Sequence, residues 1–229
     1  MKPYQKIPIL ECGEPLLEVP LIFPRTCPHP YVALGAPYGD RSPFYLRQGV
    51  IERLGHAQTK LEQLHTGWRI KIFDAYRPIP VQQFMVQYAF EQEAQAQGVD
   101  LQTLSETEQE ALMAGVYQFW AAPSPDPATP PPHSTGGALD VTLVDELDQE
   151  IDMGSPIDEI SDRSYPDYFA VVDPKVHHHR QSLKQVMVDA GFKQHLNEWW
   201  HFSYGDQMWV WFSQQDREAA SSPAIYGRV

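Results

Sequence analysis

Apolar residues recur at helical and strand spacings in the first half of the chain. Over residues 46–64 they fall at steps of four and three, which predicts an amphipathic helix that stops near Gly67. Residues 68–76, with Ile70 and Ile72 on one face, predict a strand. The pattern therefore changes from helix to strand across a single glycine turn.

Two further helices are predicted before the middle of the chain. Pro78 follows the strand and suits the first turn of a helix that ends near Gly98. Ser105 and Glu108 form a capping box, which predicts the start of another helix that runs through Tyr117.

The second half of the chain places strands around one long helix. After the proline-rich residues 121–132, residues 138–144 are rich in β-branched side chains and predict a strand. Residues 183–190 supply the inward face of a helix, and strands are predicted at 198–204 and 208–212. This order of elements predicts an α+β fold in which helices pack against a central, mostly antiparallel sheet.

The length allows one medium domain with its own core. Residues 1–45 are rich in proline and turn residues, so we expect an irregular N-terminal arm packed on a single domain of residues 46–229.

Charge and cysteine content restrict the partners and the compartment. The formal net charge of −13 argues against nucleic acid or an anionic membrane surface as a partner, and leaves a small zwitterionic or cationic substrate compatible. Cys12 and Cys27 are too few for a thiolate metal site or a disulfide framework, so we expect reduced thiols, with a single bridge between the two as the alternative. Because the first residues lack an apolar run of signal-peptide type, and no stretch reaches the ~20 apolar residues of a membrane span, we expect a cytoplasmic protein.

The segment from His133 to Asp140 contains the first candidate functional residues, which are these two end residues. Gly136 and Gly137 lie between the two residues and allow the chain to fold back, so that both side chains can converge. Asp140 falls in the apolar strand, where a buried carboxylate requires a partner such as a cation. Taken alone, the pair is better explained by a loop histidine and an aspartate that accepts hydrogen bonds from turn amides, because His/Asp pairs at this spacing are common by chance.

The segment Glu198-Trp199-Trp200-His201 supplies the second candidate. A catalytic zinc site takes three protein ligands and keeps one position open, and His201 would complete such a set with His133 and Asp140. Glu198 would then reach the water as a base, provided that both side chains share a face, as on a helix or a bent strand. The alternative is a tryptophan-rich core strand whose polar ends have no chemical role.

Arg77 follows the first strand directly and offers a planar, permanently charged donor fork. It suits the stabilisation of an oxyanion, with Asp74 holding it in place. A structural salt bridge at a helix start explains the same pair equally well.

Together these segments resemble the zinc D-alanyl-D-alanine dipeptidases known from vancomycin resistance. The resemblance rests on Asp74-Ala-Tyr-Arg-Pro78, His133-x-x-Gly-x-Ala-x-Asp140, Glu198-Trp-Trp-His201 and the stretch Met153–Asp158 with Asp162-Arg-Ser164, in the same order from about Tyr38 to about Tyr204. It implies the fold shared by the D,D-peptidases and the hedgehog signalling domain.

The resemblance also implies a role for each matching position. His133, Asp140 and His201 match the ligands of one zinc ion per chain, Glu198 the general base, and Arg77 the arginine that supports the oxyanion. Asp158 matches a carboxylate that meets the free ammonium of a small dipeptide substrate, and Tyr38 matches a tyrosine near the same group. The implied activity is hydrolysis of D-Ala-D-Ala or related free dipeptides, in peptidoglycan metabolism or glycopeptide resistance.

Two alternatives to the dipeptidase stay open at this point. One is a D,D-carboxypeptidase that trims peptidoglycan stem peptides, and the other is a non-catalytic zinc-binding domain of the same fold. Pro131 stands where the family has a serine, so a side-chain donor is lost there and substrate specificity is affected. His177-His178-His179 is interpreted as a solvated helix start rather than a second metal site.

Overall fold

The computed structural model describes residues 2–215 and 222–229. Its strands are β1 (Leu16–Glu18), β2 (Tyr45–Arg47), β3 (Arg69–Asp74), β4 (Ala138–Val144), β5 (Lys193–Gln194) and β6 (His201–Ser203). Its α-helices are α1 (Pro30–Ala33), α2 (Gln48–Leu64), α3 (Ile79–Ala96), α4 (Glu106–Phe119), α5 (Phe169–Val172), α6 (Pro174–Asp189) and α7 (Gln207–Gln215). Short 3-10 helices cover Pro3–Lys6, Pro132–Thr135 and Asp162–Ser164.

The central sheet has four strands in the order β3-β4-β6-β5, and each neighbouring pair is antiparallel. β1 and β2 form a separate antiparallel pair. The α+β fold with a central antiparallel sheet is therefore confirmed. The predicted strand over 138–144 coincides with β4, every residue of which is buried.

One face of the sheet carries the larger apolar cluster. Leu139, Val141 and Leu143 of β4 lie in it, together with inward residues of α2 and α6. The buried positions of α2 are those whose spacing predicted the helix: Val50, Leu54, Ala57 and Leu61. The opposite face of β4 is thus left for polar residues.

The first 45 residues contribute to both apolar clusters. Val19 and Phe23 pack in the larger cluster, while Tyr31 and Tyr38 lie in a second cluster with residues of α3 and α4. The pairing of β1 with β2 joins this segment to the chain after residue 44.

The predicted strand at 208–212 is wrong, because these residues lie in α7. Asp206 caps the helix, and its Oδ1 accepts a hydrogen bond from the backbone N–H of Trp209 at 2.7 Å. Met208 and Phe212, four residues apart, bury the same face against Tyr4. The aromatic composition suggested a strand, and the capping residue and the spacing select a helix.

The predicted capping box and the predicted helix start at the three histidines are confirmed. Ser105 and Glu108 form the capping box of α4. The histidines at 177–179 lie in the first turns of α6. Both cysteines are free.

No helix among the described residues is both long enough and apolar enough to span a bilayer.

Candidate active site

Three polar residues form a row across the polar face of the sheet. In the strand register, Asp140 of β4 stands between Asp74 of β3 and His201 of β6. The register between β3 and β4 shifts between Ile72 and Asp74, so that Phe73 is an extra residue. Such a bulge reverses the face to which the following side chains point. Without it, Asp74 would point to the core like Ile70 and Ile72, whereas with it Asp74 lies beside Asp140 on the polar face.

His133 reaches the same place from the 3-10 helix that precedes β4. Gly136 ends this helix with a φ of 71°, a left-handed conformation that glycine adopts without strain. The backbone carbonyl of Ala75 lies 2.7 Å from Nδ1 of His133 and leaves Nε2 directed toward the row. The fold-back expected from the glycine pair is therefore present.

The side chains of His133, Asp140 and His201 converge on one point. Nε2 of His133 lies 3.2 Å from Nδ1 of His201, and the two Asp140 oxygens lie 3.0 Å from His201 and 3.4 Å from His133. All three residues are buried, and among the described residues they form a group whose ligand atoms lie within 4.8 Å of one another.

This group fits a divalent metal ion. Two imidazoles and a carboxylate are the ligand types of catalytic metal sites, and the second nitrogen of each ring has its own polar neighbour, as such ligands require. For His201 that neighbour is Ser203 Oγ, at 3.4 Å from Nε2. Burial alone would raise the pKa of Asp140, but His133 and His201 outweigh burial and hold that pKa well below its usual value. The carboxylate is therefore ionised and ready to bind a cation.

Glu198 stands beside this group on a tight turn, which is neither helix nor strand. The N–H of His201 donates to the carbonyl of Glu198 at 3.4 Å, so the two tryptophans between them form the turn. The turn places Glu198 Oε2 3.8 Å from Nδ1 of His201, and Oε1 3.3 Å from Nδ1 of His195. Burial, with the charges of Asp140 and Asp158, raises the pKa of Glu198 well above its usual value. Such a carboxyl group is suited to accept and return a proton.

Arg77 is held in the pocket by Asp74, as the sequence predicts. Its Nε donates to Asp74 Oδ2 at 3.0 Å, and a terminal nitrogen lies 3.3 Å from Asp140 Oδ2. Burial would raise the pKa of Asp74, but Arg77 and His29 outweigh it and lower that pKa. The guanidinium is therefore fixed beside the metal-ligand group.

Asp158 lies at the same pocket, and its partner is a tyrosine that the sequence did not single out. The hydroxyl of Tyr31 donates to Asp158 Oδ2 at 2.6 Å. Burial and the neighbouring charge of Asp140 raise the pKa of Asp158 to about 7. Tyr38, the tyrosine expected there, instead donates to Asp74 Oδ1 at 3.0 Å, behind the arginine.

The pocket therefore gathers six of the seven predicted residues. His133, Asp140, His201, Glu198, Arg77 and Asp158 line it, and Tyr38 is not among the lining residues. Lys2 and His195 also line it and were not predicted. No local sequence pattern marks Lys2 or Tyr31, because each meets its neighbours only through the tertiary fold.

A buried cluster of two histidines and an aspartate, with a glutamate beside it and an arginine facing it, defines a metal-dependent hydrolase site. The comparisons with known proteins identify the class more closely. Residues 25–221 match the M15 peptidase family, described as D-Ala-D-Ala dipeptidase. The chain belongs to this family and is a metallopeptidase.

Relatives of known name agree with this assignment. The D-alanyl-D-alanine dipeptidase of Synechocystis sp. is 46% identical over an alignment of 240 residues that covers 100% of this chain and 97% of that protein. The D-alanyl-D-alanine dipeptidase of Escherichia coli is 41% identical over 70 residues, covering 31% of this chain and 36% of the relative. An alignment with a solved structure of the LD-carboxypeptidase LdcB covers 91% of this chain and 75% of that chain at 12% identity, with a TM-score of 0.42.

Proposed function

We propose that this chain is a zinc-dependent dipeptidase that hydrolyses D-Ala-D-Ala, or closely related free dipeptides, in peptidoglycan metabolism. The observation that carries the proposal is the buried group of His133, Asp140 and His201, with Glu198 beside it and Asp158 in the same pocket. The family membership and the names of the relatives support the substrate.

The proposed roles follow from the geometry of the pocket. His133, Asp140 and His201 would hold one zinc ion, which when bound would polarise a peptide carbonyl and acidify water. Glu198 takes a proton from the attacking water and returns it to the nitrogen of the leaving amino acid, so that one water is consumed and two amino acids are released. Arg77, fixed by Asp74, donates to the oxygen that becomes negative as the carbonyl is attacked.

Asp158 accounts for the choice of a dipeptide. A buried carboxylate in the pocket offers a partner for the free ammonium of the substrate, and Tyr31 fixes its orientation. An acylated amino terminus has no charge to pair with it. The site is therefore built for a free dipeptide rather than for the end of a longer chain.

A panel of alanine dipeptides of each chirality tests this function. We expect the zinc-loaded protein to hydrolyse free D-Ala-D-Ala, to lose this activity with a chelator and to recover it with zinc. N-acetyl-D-Ala-D-Ala should be a far poorer substrate. Equal turnover of the acetylated and free forms would instead identify a D,D-carboxypeptidase, and no turnover of any dipeptide by metal-loaded protein would refute the proposal.

The affinity for the substrate should fall as the pH is lowered. Asp158 must be ionised to bind an ammonium group, and its pKa is raised to about 7. A cation bound near Asp140 would oppose this rise in the pKa of Asp158. We therefore expect KM to rise as the pH falls through about 7 or somewhat below. The substrate ammonium stays charged in this range. KM for D-Ala-D-Ala measured between pH 5 and pH 9 checks this expectation.

Asp158→Asn is the matched variant for the pH experiment. Asp158 has a φ of 68°, a left-handed conformation that asparagine tolerates, so this substitution keeps the backbone. We expect a high KM with little dependence on pH. A variant whose KM still rises at low pH as in the wild type would show that another group is responsible.

A further inference from the structure

Lys2 reaches the active-site pocket from the start of the chain. It precedes the 3-10 helix Pro3–Lys6, which packs against α7 through the buried ring of Tyr4. The backbone N–H of Lys2 donates to Gln5 Oε1 at 2.8 Å, and the Gln207 side chain donates to the carbonyl of Ile7 at 2.6 Å. The first of these bonds caps the 3-10 helix, while the ring of Tyr4 and the carbonyl of Ile7 attach the segment to α7.

The pocket is lined by two basic side chains, Lys2 and Arg77, and they differ in whether the charge is already paired. Arg77 is already paired with Asp74 and Asp140. For Lys2, within residues 2–215 and 222–229, neither an ion pair nor a side-chain hydrogen bond is found. Burial lowers the pKa of Lys2, and the nearby charge of Glu198 opposes that shift. The pocket thus contains a partly desolvated cation that is available to a ligand.

The prolines that precede His133 offer no backbone donor to a ligand. Residues 130–132 are three consecutive prolines, none of which has a backbone N–H, and Pro132 lines the pocket. A substrate carboxylate on this side of the zinc-ligand group must therefore find its donor on another segment. Lys2 is a lining residue with that chemistry.

The charges of the pocket also match the two ends of a free dipeptide. Asp158, held by Tyr31, is the negative group assigned to the substrate ammonium. Lys2 and His195 line the active-site pocket and also an adjoining cavity, and Asp158 is not among the lining residues of that second cavity. A dipeptide that spans the catalytic group between these two charges has its ammonium at one and its carboxylate at the other.

We propose that Lys2 binds the C-terminal carboxylate of the dipeptide substrate and is a specificity-determining residue of this enzyme. The inference rests on the proposed dipeptidase function and names the group that recognises the second end of the substrate. It makes the site selective for a free carboxylate as well as for a free ammonium.

The test compares D-Ala-D-Ala with its C-terminal amide, which lacks the negative charge. Lys2→Ala and Lys2→Gln should each raise KM for the free acid by about 10- to 100-fold, the effect of losing a hydrogen bond to a charged group. KM for the amide should not change, so the preference for the acid disappears. Lys2→Arg should restore most of that preference, and Lys6→Ala, an exposed lysine of the same 3-10 helix, should behave as wild type.

Calorimetric binding of both ligands in a Glu198→Gln background provides a readout without turnover, and thermal unfolding shows that each variant is folded. A Lys2→Ala protein that keeps the wild-type preference for the acid would overturn the inference. An equal rise in KM for the acid and the amide, together with a shifted pH profile of hydrolysis, would also overturn the inference. That result would mean that Lys2 acts only on Glu198. If the zinc-loaded wild type hydrolyses no dipeptide, the proposed function fails instead.

Discussion

Glu198→Gln is expected to lower kcat for D-Ala-D-Ala by about 100- to 10,000-fold, the usual effect of losing a general base. Glutamine keeps the size of the side chain but cannot accept the proton of the attacking water. Because Glu198 lies beside the metal-ligand group and is not one of its three members, the variant should still bind one zinc per chain. Steady-state kinetics and metal analysis on the same preparation check both parts.

The matched control is Glu52→Gln, a change to an exposed glutamate of α2 that bonds only Gln48 among the described residues. This variant should keep wild-type kcat and zinc content. Near-wild-type turnover by zinc-loaded Glu198→Gln would remove Glu198 from the proposed mechanism. Loss of zinc together with activity would place Glu198 among the ligands.

His201→Ala and Asp140→Ala are each expected to reduce bound zinc well below one equivalent and to reduce hydrolysis to background. Each change removes one of three protein ligands, and a catalytic site with two ligands holds its metal poorly. The Asp140 variant also leaves Arg77 and two histidines without their shared negative partner. Metal analysis after dialysis, followed by activity with added zinc, measures both effects.

His195→Gln is the matched control for metal binding, since His195 lines the same pocket and its ring centre lies 5.7 Å from that of His201. We expect this variant to keep its zinc, because its ring does not belong to the ligand group. Full zinc occupancy in either ligand variant would contradict the assignment. Loss of zinc from His195→Gln would require a different ligand set.

The elements that the sequence predicted best are those with a strong local pattern. β4 was predicted with its observed bounds because six of its seven residues are apolar or β-branched. α2 was predicted because its buried positions recur at helical spacing. In both elements, packing and local preference favour the same structure.

Elements that depend on single contacts could be predicted less well. Residues 208–212 contain enough aromatic side chains to predict a strand, but the hydrogen bond from the N–H of Trp209 to Asp206 begins a helix there. At Glu198–His201 the sequence does not decide between a helix and a bent strand, because the observed turn depends on the strand that follows it. Local composition does not encode these contacts.

The convergence of His133, Asp140 and His201 could be predicted because these residues lie in short motifs, whereas the surroundings of the three side chains could not. Tyr31 and Asp158 are 127 positions apart, and their hydrogen bond exists only in the folded chain. The resemblance placed a tyrosine near the substrate ammonium and selected Tyr38, whose hydroxyl bonds Asp74. Lys2 carries no motif at all.

The row of Asp74, Asp140 and His201 across three strands has a consequence for folding. A slip of one residue between β4 and β6 would turn Asp140 toward the apolar core and separate it from His201. Only the native alignment of the strands assembles a complete set of ligands, so a bound metal ion stabilises that alignment over its neighbours. In this chain, metal uptake should therefore report on correct strand pairing before any substrate is added.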